Sequence, residues 1–299
     1  MRCVVIGESL VDLIGQPGSW DFTAKPGGSP LNVAVALSRL DAQVEFITET
    51  GDDLFGGLLR DHLSSNRVTV TGIGAASATS LAIARLSEEG SATYDFRFTW
   101  AVSSDPDLTG VDCLHTGSLA CVTAPGRDAV ARAVRKAVAA GVPVSYDPNI
   151  RPALSPDRQA TRAMVEEFVA LADIVKASEE DLSWLWPDRP AHEILNAWSR
   201  RPSGAPRLAV MTRGGEGAVA AYGGRFVEQA ARQVQVVDTI GAGDTFMAGL
   251  LVSLSQQGRL RPDLTLDAAE LDRALQYAVA AAAVVCTRPG ADPPYAHEL

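Results

Sequence analysis

Histidine and cysteine are scarce in this sequence, which has four of each among its 299 residues. The cysteines form no C-x-x-C pair, and the histidines do not pair at ligand spacing, so we expect no transition-metal site. Every cysteine lies in an apolar context. Such a context is typical of buried free thiols in a reducing cytoplasm.

Long apolar runs are also missing. The apolar run at the N-terminus is soon interrupted by Glu8 and Asp12, so we do not interpret it as a signal peptide. The longest uncharged helical stretch, residues 274–287, is too short and too rich in alanine to span a bilayer. We therefore predict a cytoplasmic protein.

Positive charge is in deficit, because 26 Lys and Arg stand against 36 Asp and Glu, a formal net charge of −10. An acidic surface repels nucleic acids and anionic membranes, so we expect neither as a partner. A small phosphorylated ligand stays compatible, since it needs only a local positive site. The composition is otherwise that of an ordinary globular protein, long enough for one large domain with a smaller attachment.

Short β-rich runs alternate with longer helical runs over most of the chain. CVVIG at residues 3–7 is typical of a buried strand. Residues 29–40 have apolar side chains at helical spacing and a serine placed to cap the helix. This alternation predicts an α/β fold with a parallel sheet and helices on both faces.

Two stretches interrupt the alternation. Residues 11–28 have the pattern of two short strands around a Pro-Gly turn, and residues 79–102 have that of a hairpin around Glu-Glu-Gly. We predict that both form a small β-sheet lid on an α/β body, which would comprise residues 1–10, 29–78 and 103–299.

Aromatic residues are concentrated in these two stretches. Each stretch is too short to be stable as an isolated hairpin, so we expect them to pair in one sheet whose edge and second face need cover. We predict a homodimer through this lid, with each lid also closing over its own active site. The aromatic residues concerned are Trp20, Phe22, Phe96, Phe98 and Trp100.

The stretch VVDTIGAGDTFMAG at residues 236–249 combines glycines, a carboxylate and a helix start. Unpaired N–H groups at the start of a helix attract phosphate. The stretch is not a Walker A, which needs Gly-Lys-Ser/Thr, and Phe246 replaces the third glycine of a dinucleotide fingerprint. Asp244 is either a favourable first-turn acid or a group that does chemistry beside the phosphate. From the residues alone, both readings stay open.

Nearly end to end, the chain resembles the PfkB, or ribokinase-like, family of carbohydrate kinases. The resemblance is carried, in order, by GESLVDLI, GGSPLNVAVALSRL, TGDDLFGGLL, YDPNIRP, VKASEEDL, TRGGEGA and DTIGAGDTFMAGLL. The early GG-x-x-x-N and the late DTxGAGD are its most specific signatures. YDPNIRP and VKASEEDL look most like bacterial fructokinases and 2-keto-3-deoxygluconate kinases. The resemblance implies a ribokinase-like, doubly wound, mostly parallel sheet plus the small lid.

The resemblance also implies ATP-dependent phosphorylation of a primary hydroxyl, with Asp244 as the general base. The backbone amides of residues 240–243, which include Gly241, Ala242 and Gly243, would hold the phosphoryl group. Residues that match the family's sugar positions are Asp12, Gly28 and Asn32. Their alternatives are a strand-end acid, a turn glycine and a helix-surface amide.

Arg97, with Phe98 and Trp100, is a further candidate for contact with the sugar. The aromatic residues are equally well explained as filling the lid or a dimer contact.

Mg-ATP is the implied phosphate donor. Glu179 falls at the family's Asn-x-x-Glu motif and would contact Mg²⁺ through water, unless it is only a first-turn helix acid. Lys176 stands where the family carries Asn, and a lysine there can touch a phosphate directly. Asp238 and Ile240 resemble the loop that holds a monovalent cation such as K⁺ in many relatives. Matches on the nucleotide side are Asn149, Arg151, Thr212, Gly214 and Gly217.

Fructose, giving fructose 6-phosphate, is the first candidate substrate. 2-Keto-3-deoxygluconate kinase is the nearest alternative, and ribokinase or nucleoside kinase comes next. A non-catalytic sugar-binding protein on the same fold is an alternative of a different class, although it would have no need of a base.

Overall fold

The computed structural model describes residues 1–15, 18–86, 92–103, 105–155 and 157–299. The strands are β1 (Arg2–Ile6), β2 (Leu10–Gly15), β3 (Phe22–Gly27), β4 (Gln43–Gly51), β5 (Thr69–Ala76), β6 (Leu81–Leu86), β7 (Ala92–Arg97), β8 (Cys113–Gly117), β9 (Val144–Asp147), β10 (Ile174–Ser178), β11 (Leu208–Thr212), β12 (Ala218–Tyr222) and β13 (Arg225–Gln229). The α-helices are α1 (Ser29–Arg39), α2 (Leu54–Ser65), α3 (Gly126–Ala139), α4 (Arg158–Leu171), α5 (Glu179–Leu185), α6 (Ala191–Trp198), α7 (Ala242–Gln256) and α8 (Ala268–Cys286).

Nine strands form one large sheet in the order β13-β12-β11-β10-β9-β8-β1-β4-β5. Pairing is parallel from β11 to β5, and β12 and β13 are added antiparallel at one edge. The chain runs outward from β1 through β4 to β5, then returns to β8 and continues to β11 on the other side. The strand order therefore reverses between β1 and β8, and the carboxyl ends of these parallel strands share one edge.

Helices cover both faces of this sheet, because successive residues of a strand point to opposite sides. In β1, Cys3 and Val5 pack in the core with α1, α2, α7 and α8, whereas Val4 and Ile6 pack in the core with α3 to α6. A strand buried on both faces is a continuous apolar run, as CVVI is. The predicted doubly wound α/β fold is confirmed.

The two interrupting stretches form the predicted second sheet, of four strands in the order β3-β2-β6-β7. β2 joins the two stretches by pairing parallel with β6, and the outer pairs are antiparallel. The Pro17 of one predicted turn and the Glu-Glu-Gly of the other lie outside the described residues. The small sheet is thus confirmed, while the division of the chain into a body and a lid stays a prediction.

Two local expectations need correction. Ser29 does not cap α1, because it is the first helical residue and Gly28 occupies the cap position with φ of 105°. Trp100 is only 2% exposed, and its indole donates to the Ala120 carbonyl at 3.2 Å in the core of the large sheet, so it does not face a sugar site. In the described ranges, no helix is long and apolar enough to cross a membrane.

Candidate active site

A cavity of about 830 Å³ lies at the carboxyl edge of the large sheet, beside the small sheet. Its walls come from the loops after β1, β8 and β9, from the starts of α1 and α7, and from one face of the small sheet. Asp12, Gly28, Asn32, Lys176 and Asp244, which are distant in sequence, all line it.

Asp244 lies in the first turn of α7 and is 8% exposed. One carboxylate oxygen accepts a hydrogen bond from the Ser29 hydroxyl at 2.6 Å, and the other accepts one from the Asn32 amide at 2.8 Å. Both donors lie in the first turn of α1, which packs against α7. The two bonds fix the carboxylate in one orientation and leave each oxygen able to accept another donor.

The backbone before Asp244 lines the cavity, but fewer of its amides are free than the four that the sequence suggested. The Ile240 amide donates to the Asp238 carboxylate at 3.0 Å, and the Ala242 amide donates to the Thr239 carbonyl at 3.2 Å. Within the described chain, the amides of Gly241 and Gly243 have no acceptor. An anion at this helix start could therefore accept hydrogen bonds from those two amides.

Gly241 is the residue that requires glycine here. It adopts φ of 77°, and a Cβ would lie 2.8 Å from the Cβ of Ala291 in the C-terminal segment. Gly243 has no such backbone angle, but its missing side chain leaves room for Lys176, whose Nζ would be 2.9 Å from a Cβ there.

Lys176 brings a positive charge to the same place. It is 4% exposed, and its Nζ lies 2.6 Å from an Asp147 carboxylate oxygen and 3.4 Å from the Gly243 carbonyl. Burial acts to lower the pKa of Lys176, but Asp147 and Asp244 outweigh it, so the pKa is raised and the ammonium stays charged. This places a cation next to Gly243.

Several residues of the small sheet line the cavity, and four of them form one row across the strands. Lys25, Asp12, Ala82 and Phe96 are aligned across the four strands, and all four line the cavity. Burial raises the pKa of Asp12 to about 6, against the opposing charge of Arg151.

Arg97 is the first of several predicted site residues that lie outside this lining. Because side chains alternate along β7, Phe96 faces the cavity while the exposed Arg97 pairs with Asp95 at 3.1 Å. Glu179 is exposed at the start of α5 and is not among the residues that line the cavity.

The turn after β11 also lies outside the lining. It holds Thr212, Gly214 and Gly217 at the same sheet edge, three strands from β8. The backbone itself requires glycine at position 217, since φ is 99° and a Cβ would lie 2.1 Å from the Gln229 carbonyl oxygen.

Comparison with known proteins identifies the family. A model of the pfkB family of carbohydrate kinases matches residues 1–298. The chain belongs to this family. The predicted family and enzyme class, a carbohydrate kinase, are therefore confirmed.

Individual relatives of the chain are also sugar kinases. The chain is 36% identical to the fructokinase of Klebsiella pneumoniae over 279 residues, which cover 88% of this chain and 89% of the relative. Fructokinase from Xylella fastidiosa with bound ATP superposes with a TM-score of 0.84 at 28% identity, covering 97% and 93% of the two chains. A double mutant of Vibrio cholerae fructokinase in its fructose-, ADP- and potassium-bound form gives a TM-score of 0.79 at 27% identity, with the same coverage.

The loop before the GAG of this carbohydrate kinase is tied to the C-terminal segment. Asp238 uses both carboxylate oxygens, one on the Ile240 amide and the other on the Gly290 amide at 2.8 Å. Gly290 and Ala291 also line the cavity. The side chain that the sequence assigned to a cation loop thus serves to hold that loop in place.

Sequence reasoning missed several side chains of the site, among them Ser29, Asp147 and Glu8. The sequence pattern predicts Ser29 as a helix cap, Asp147 only as part of YDPNIRP, and Glu8 only as an interruption of an apolar run. Glu8 is 1% exposed yet lines the cavity. No sequence pattern reveals that Glu8 is buried in the same cavity wall as Asp12. Asn149, with φ of 37°, and Arg151 line the cavity as predicted positions after β9.

Among the described residues, no group of three or more His, Cys, Asp or Glu side chains could hold a metal ion by itself. A magnesium ion that arrives with a nucleotide needs fewer protein ligands, because phosphate oxygens and water complete its coordination.

Proposed function

We propose that this enzyme transfers the γ-phosphoryl group of ATP to the primary hydroxyl of fructose, giving fructose 6-phosphate. The observation that carries the proposal is the Asp244 carboxylate, oriented by Ser29 and Asn32 beside the free amides of Gly241 and Gly243. A base and an anion site that share one cavity are what hydroxyl phosphorylation requires.

In this mechanism Asp244 accepts the proton of the primary hydroxyl while that oxygen attacks the γ-phosphorus, and ADP leaves with the electron pair of the broken bond to the β,γ-bridging oxygen. The hydroxyl lies between carboxylate and phosphate, so their mutual repulsion is tolerable. The amides of Gly241 and Gly243 stabilise the charge on the transferred group, and the Lys176 ammonium adds to the same field. An asparagine amide at position 176 would be neutral and could not supply this positive charge.

For the nucleotide, we assign Asn149 and Arg151 to the phosphates, and the turn with Thr212, Gly214 and Gly217 to the more distant part of ATP. Mg²⁺ supplies charge neutralisation on the phosphates when it is bound. The exposed carboxylate of Glu179 makes no ion pair within the described chain and suits a contact through water.

A monovalent cation such as K⁺ is proposed for the loop of Asp238 and Ile240. Since the Asp238 carboxylate is used by two amides, the loop carbonyls would be the ligands. The bound cation would stiffen the loop that precedes the GAG. The potassium-bound relative supports this assignment.

The charges at the sugar end of the cavity favour a neutral sugar. Arg151 already acts on both Glu8 and Asp12, since its charge opposes the raised pKa of each. The carboxylate of 2-keto-3-deoxygluconate would compete with these two acids for Arg151, and Lys25 is the other cation that lines this wall. Together with the fructokinase relatives, this supports fructose over the sugar acid.

A coupled assay of ADP formation with Mg-ATP on fructose, 2-keto-3-deoxygluconate, ribose and adenosine tests the substrate. We expect the highest kcat/KM for fructose. A higher value for 2-keto-3-deoxygluconate would establish the alternative kinase. Sugar binding by calorimetry without turnover on any substrate would instead indicate a non-catalytic sugar-binding protein.

A homodimer through the small sheet is proposed as well. Trp20 is 77% exposed and Phe22 36%, both at or before the edge strand β3, which a partner would cover. We expect sedimentation at micromolar concentration to give a dimer of the 31.5 kDa chain and Trp20→Lys to give a monomer. A monomer for the unmodified chain would contradict this proposal and leave the kinase proposal untouched.

A further inference from the structure

Glu8 lies where the strand order of the large sheet reverses. It follows β1, whose neighbours β4 and β8 belong to the two halves of the sheet. Open α/β sheets bind ligands in the crevice outside the strand ends at such a point. Glu8 and Ser118, which follow β1 and β8, both line the cavity.

The backbone of Glu8 is packed against the segment that holds Asp244. A Cβ on Gly7 would lie 2.3 Å from a side-chain carbon of Pro30, and one on Gly28 would lie 2.8 Å from the Glu8 carbonyl. Ser29, between Gly28 and Pro30, donates to Asp244. Glu8 and Asp244 therefore belong to one packed unit and face the same cavity.

The Glu8 carboxylate has only neutral direct partners. One oxygen accepts from the Ala120 amide at 2.9 Å, and the Ser118 side chain and the backbone amide of Glu8 itself also act on the carboxylate as hydrogen-bond donors. Within the described chain no lysine or arginine pairs with it, although the charge of Arg151 acts on it. Burial raises the pKa of Glu8 to about 7 against these bonds. A buried carboxylate without a counter-ion is costly, so its retention needs a reason.

Capping the turn after β8 is not a sufficient reason, because the Ala120 amide needs only one neutral oxygen acceptor. An ionised carboxylate offers about four acceptor sites, and the direct protein contacts leave some of them unused. Ser118 also has φ of 56°, and such strained residues cluster at ligand sites. A sugar brings hydroxyl donors that would use the remaining acceptors.

We propose that Glu8 is a sugar-binding residue, whose carboxylate accepts hydrogen bonds from hydroxyls of the sugar away from the reacting one. The proposal rests on the proposed sugar-kinase function. It assigns Asp244 to the reacting hydroxyl, and Glu8 and Asp12 to the recognition of the rest of the molecule.

The test compares the unmodified chain with Glu8→Gln, which keeps an acceptor for Ala120, and with Glu49→Gln as a matched control. Glu49 also accepts a backbone amide, that of Ala101 at 2.6 Å, but does not line the cavity. KM is measured for fructose and for ATP, and fructose binding is titrated calorimetrically without nucleotide. We expect Glu8→Gln to raise the KM and the dissociation constant of fructose about tenfold or more, the usual value of a hydrogen bond to a charged group. The KM of ATP and the control variant should stay within about twofold.

A fructose KM and dissociation constant within twofold of the unmodified chain would overturn the proposal, since Glu8 would then only cap a turn. Equal losses for fructose and ATP with a lowered unfolding temperature would overturn it too. If Glu8→Gln does not fold, Glu8→Asp takes its place, because it keeps the carboxylate but moves it back by one methylene. The same KM values and the same dissociation constant are then measured for Glu8→Asp. An unmodified chain that binds fructose without phosphorylating it contradicts the proposed function only, and the titration still decides the role of Glu8.

Discussion

The two ends of the cavity are built in different ways. At the phosphate end, Asp244 begins a run of buried residues that continues along α7 to Leu254, packed against α1 and α8. At the sugar end, the wall is a four-stranded sheet whose strand β3 is exposed at Phe22 to Ala24. The group proposed to do the chemistry thus sits on rigid elements, while the groups proposed to choose the sugar sit on a thin sheet and a loop.

This difference predicts that the two ends respond differently to mutation. A change at the phosphate end alters groups that act in the transition state, so it lowers kcat more than it weakens sugar binding. A change at the sugar end removes contacts made equally in the ground state, so it raises KM.

Removing the proposed base should have the largest effect. Asp244→Asn retains an oxygen that accepts from one of the two donors, Ser29 or Asn32, but it cannot accept the proton. We expect kcat to fall by about 10²–10⁴-fold, with fructose affinity by calorimetry nearly unchanged. If the purified variant keeps more than about a tenth of the kcat, Asp244 is only a helix acid and the comparison between the two ends fails.

At the sugar end, the burial of Glu8 should appear as a pH-dependent cost in stability. Its pKa is about 7 in the folded chain against 4.5 for the free group, so the folded state binds more protons between these values. Stability is therefore lost as pH rises from about 4.5 to 7, by on the order of 1–3 kcal/mol. In denaturant unfolding, the free energy of unfolding of Glu8→Gln should rise relative to that of the unmodified chain between pH 5 and pH 8.

Asp12 and Asp147 also have raised pKa values, but they are present in both proteins and do not affect the difference. A difference in stability that does not change with pH would mean that Glu8 has an ordinary pKa.

A backbone change at the phosphate end should lower turnover without removing any polar group. Gly241→Ala places a Cβ against Ala291 at φ of 77°, whereas Gly258→Ala has a similar φ of 67° with open space around it. Both should lose about 1–2 kcal/mol of stability from the left-handed conformation. We expect only Gly241→Ala to lose kcat, by about tenfold or more, because the displaced loop carries the free amides. Equal kcat values in the two variants would show that the loop geometry does not matter.

The smallest effect is expected from Ser29→Ala, which removes one of the two donors to Asp244. A net hydrogen bond of about 0.5–1.5 kcal/mol corresponds to a loss of about 2- to 13-fold in kcat. Fructose KM should change by less than kcat. A rise in KM with an unchanged kcat would contradict this role and indicate that Ser29 acts in sugar binding.

Much of this arrangement could be predicted because its signals are local. The buried-strand run CVVIG and the two hairpin patterns gave the parallel sheet and the small sheet, since each period reflects burial along a single element. The left-handed glycine, the helix start and Asp244 are contiguous, so the motif could be recognised as one unit. Arg97 shows the limit of this reasoning, because which face of β7 meets the cavity depends on the register of four strands and not on the hairpin itself.

By itself, the sequence determined the fold class, the family and the stretch that carries the proposed base and anion site. Only the tertiary structure decided that Ser29 and Asn32, which are 212 or more residues away in sequence, donate hydrogen bonds to Asp244. It also decided that Lys176 forms an ion pair with Asp147 next to Gly243. It also placed Glu8 in the wall of the cavity. These contacts join elements that are distant in the chain, and a hydrogen bond between distant residues leaves no period or spacing in the sequence. It exists only once burial of the helices and strands has brought the partners together.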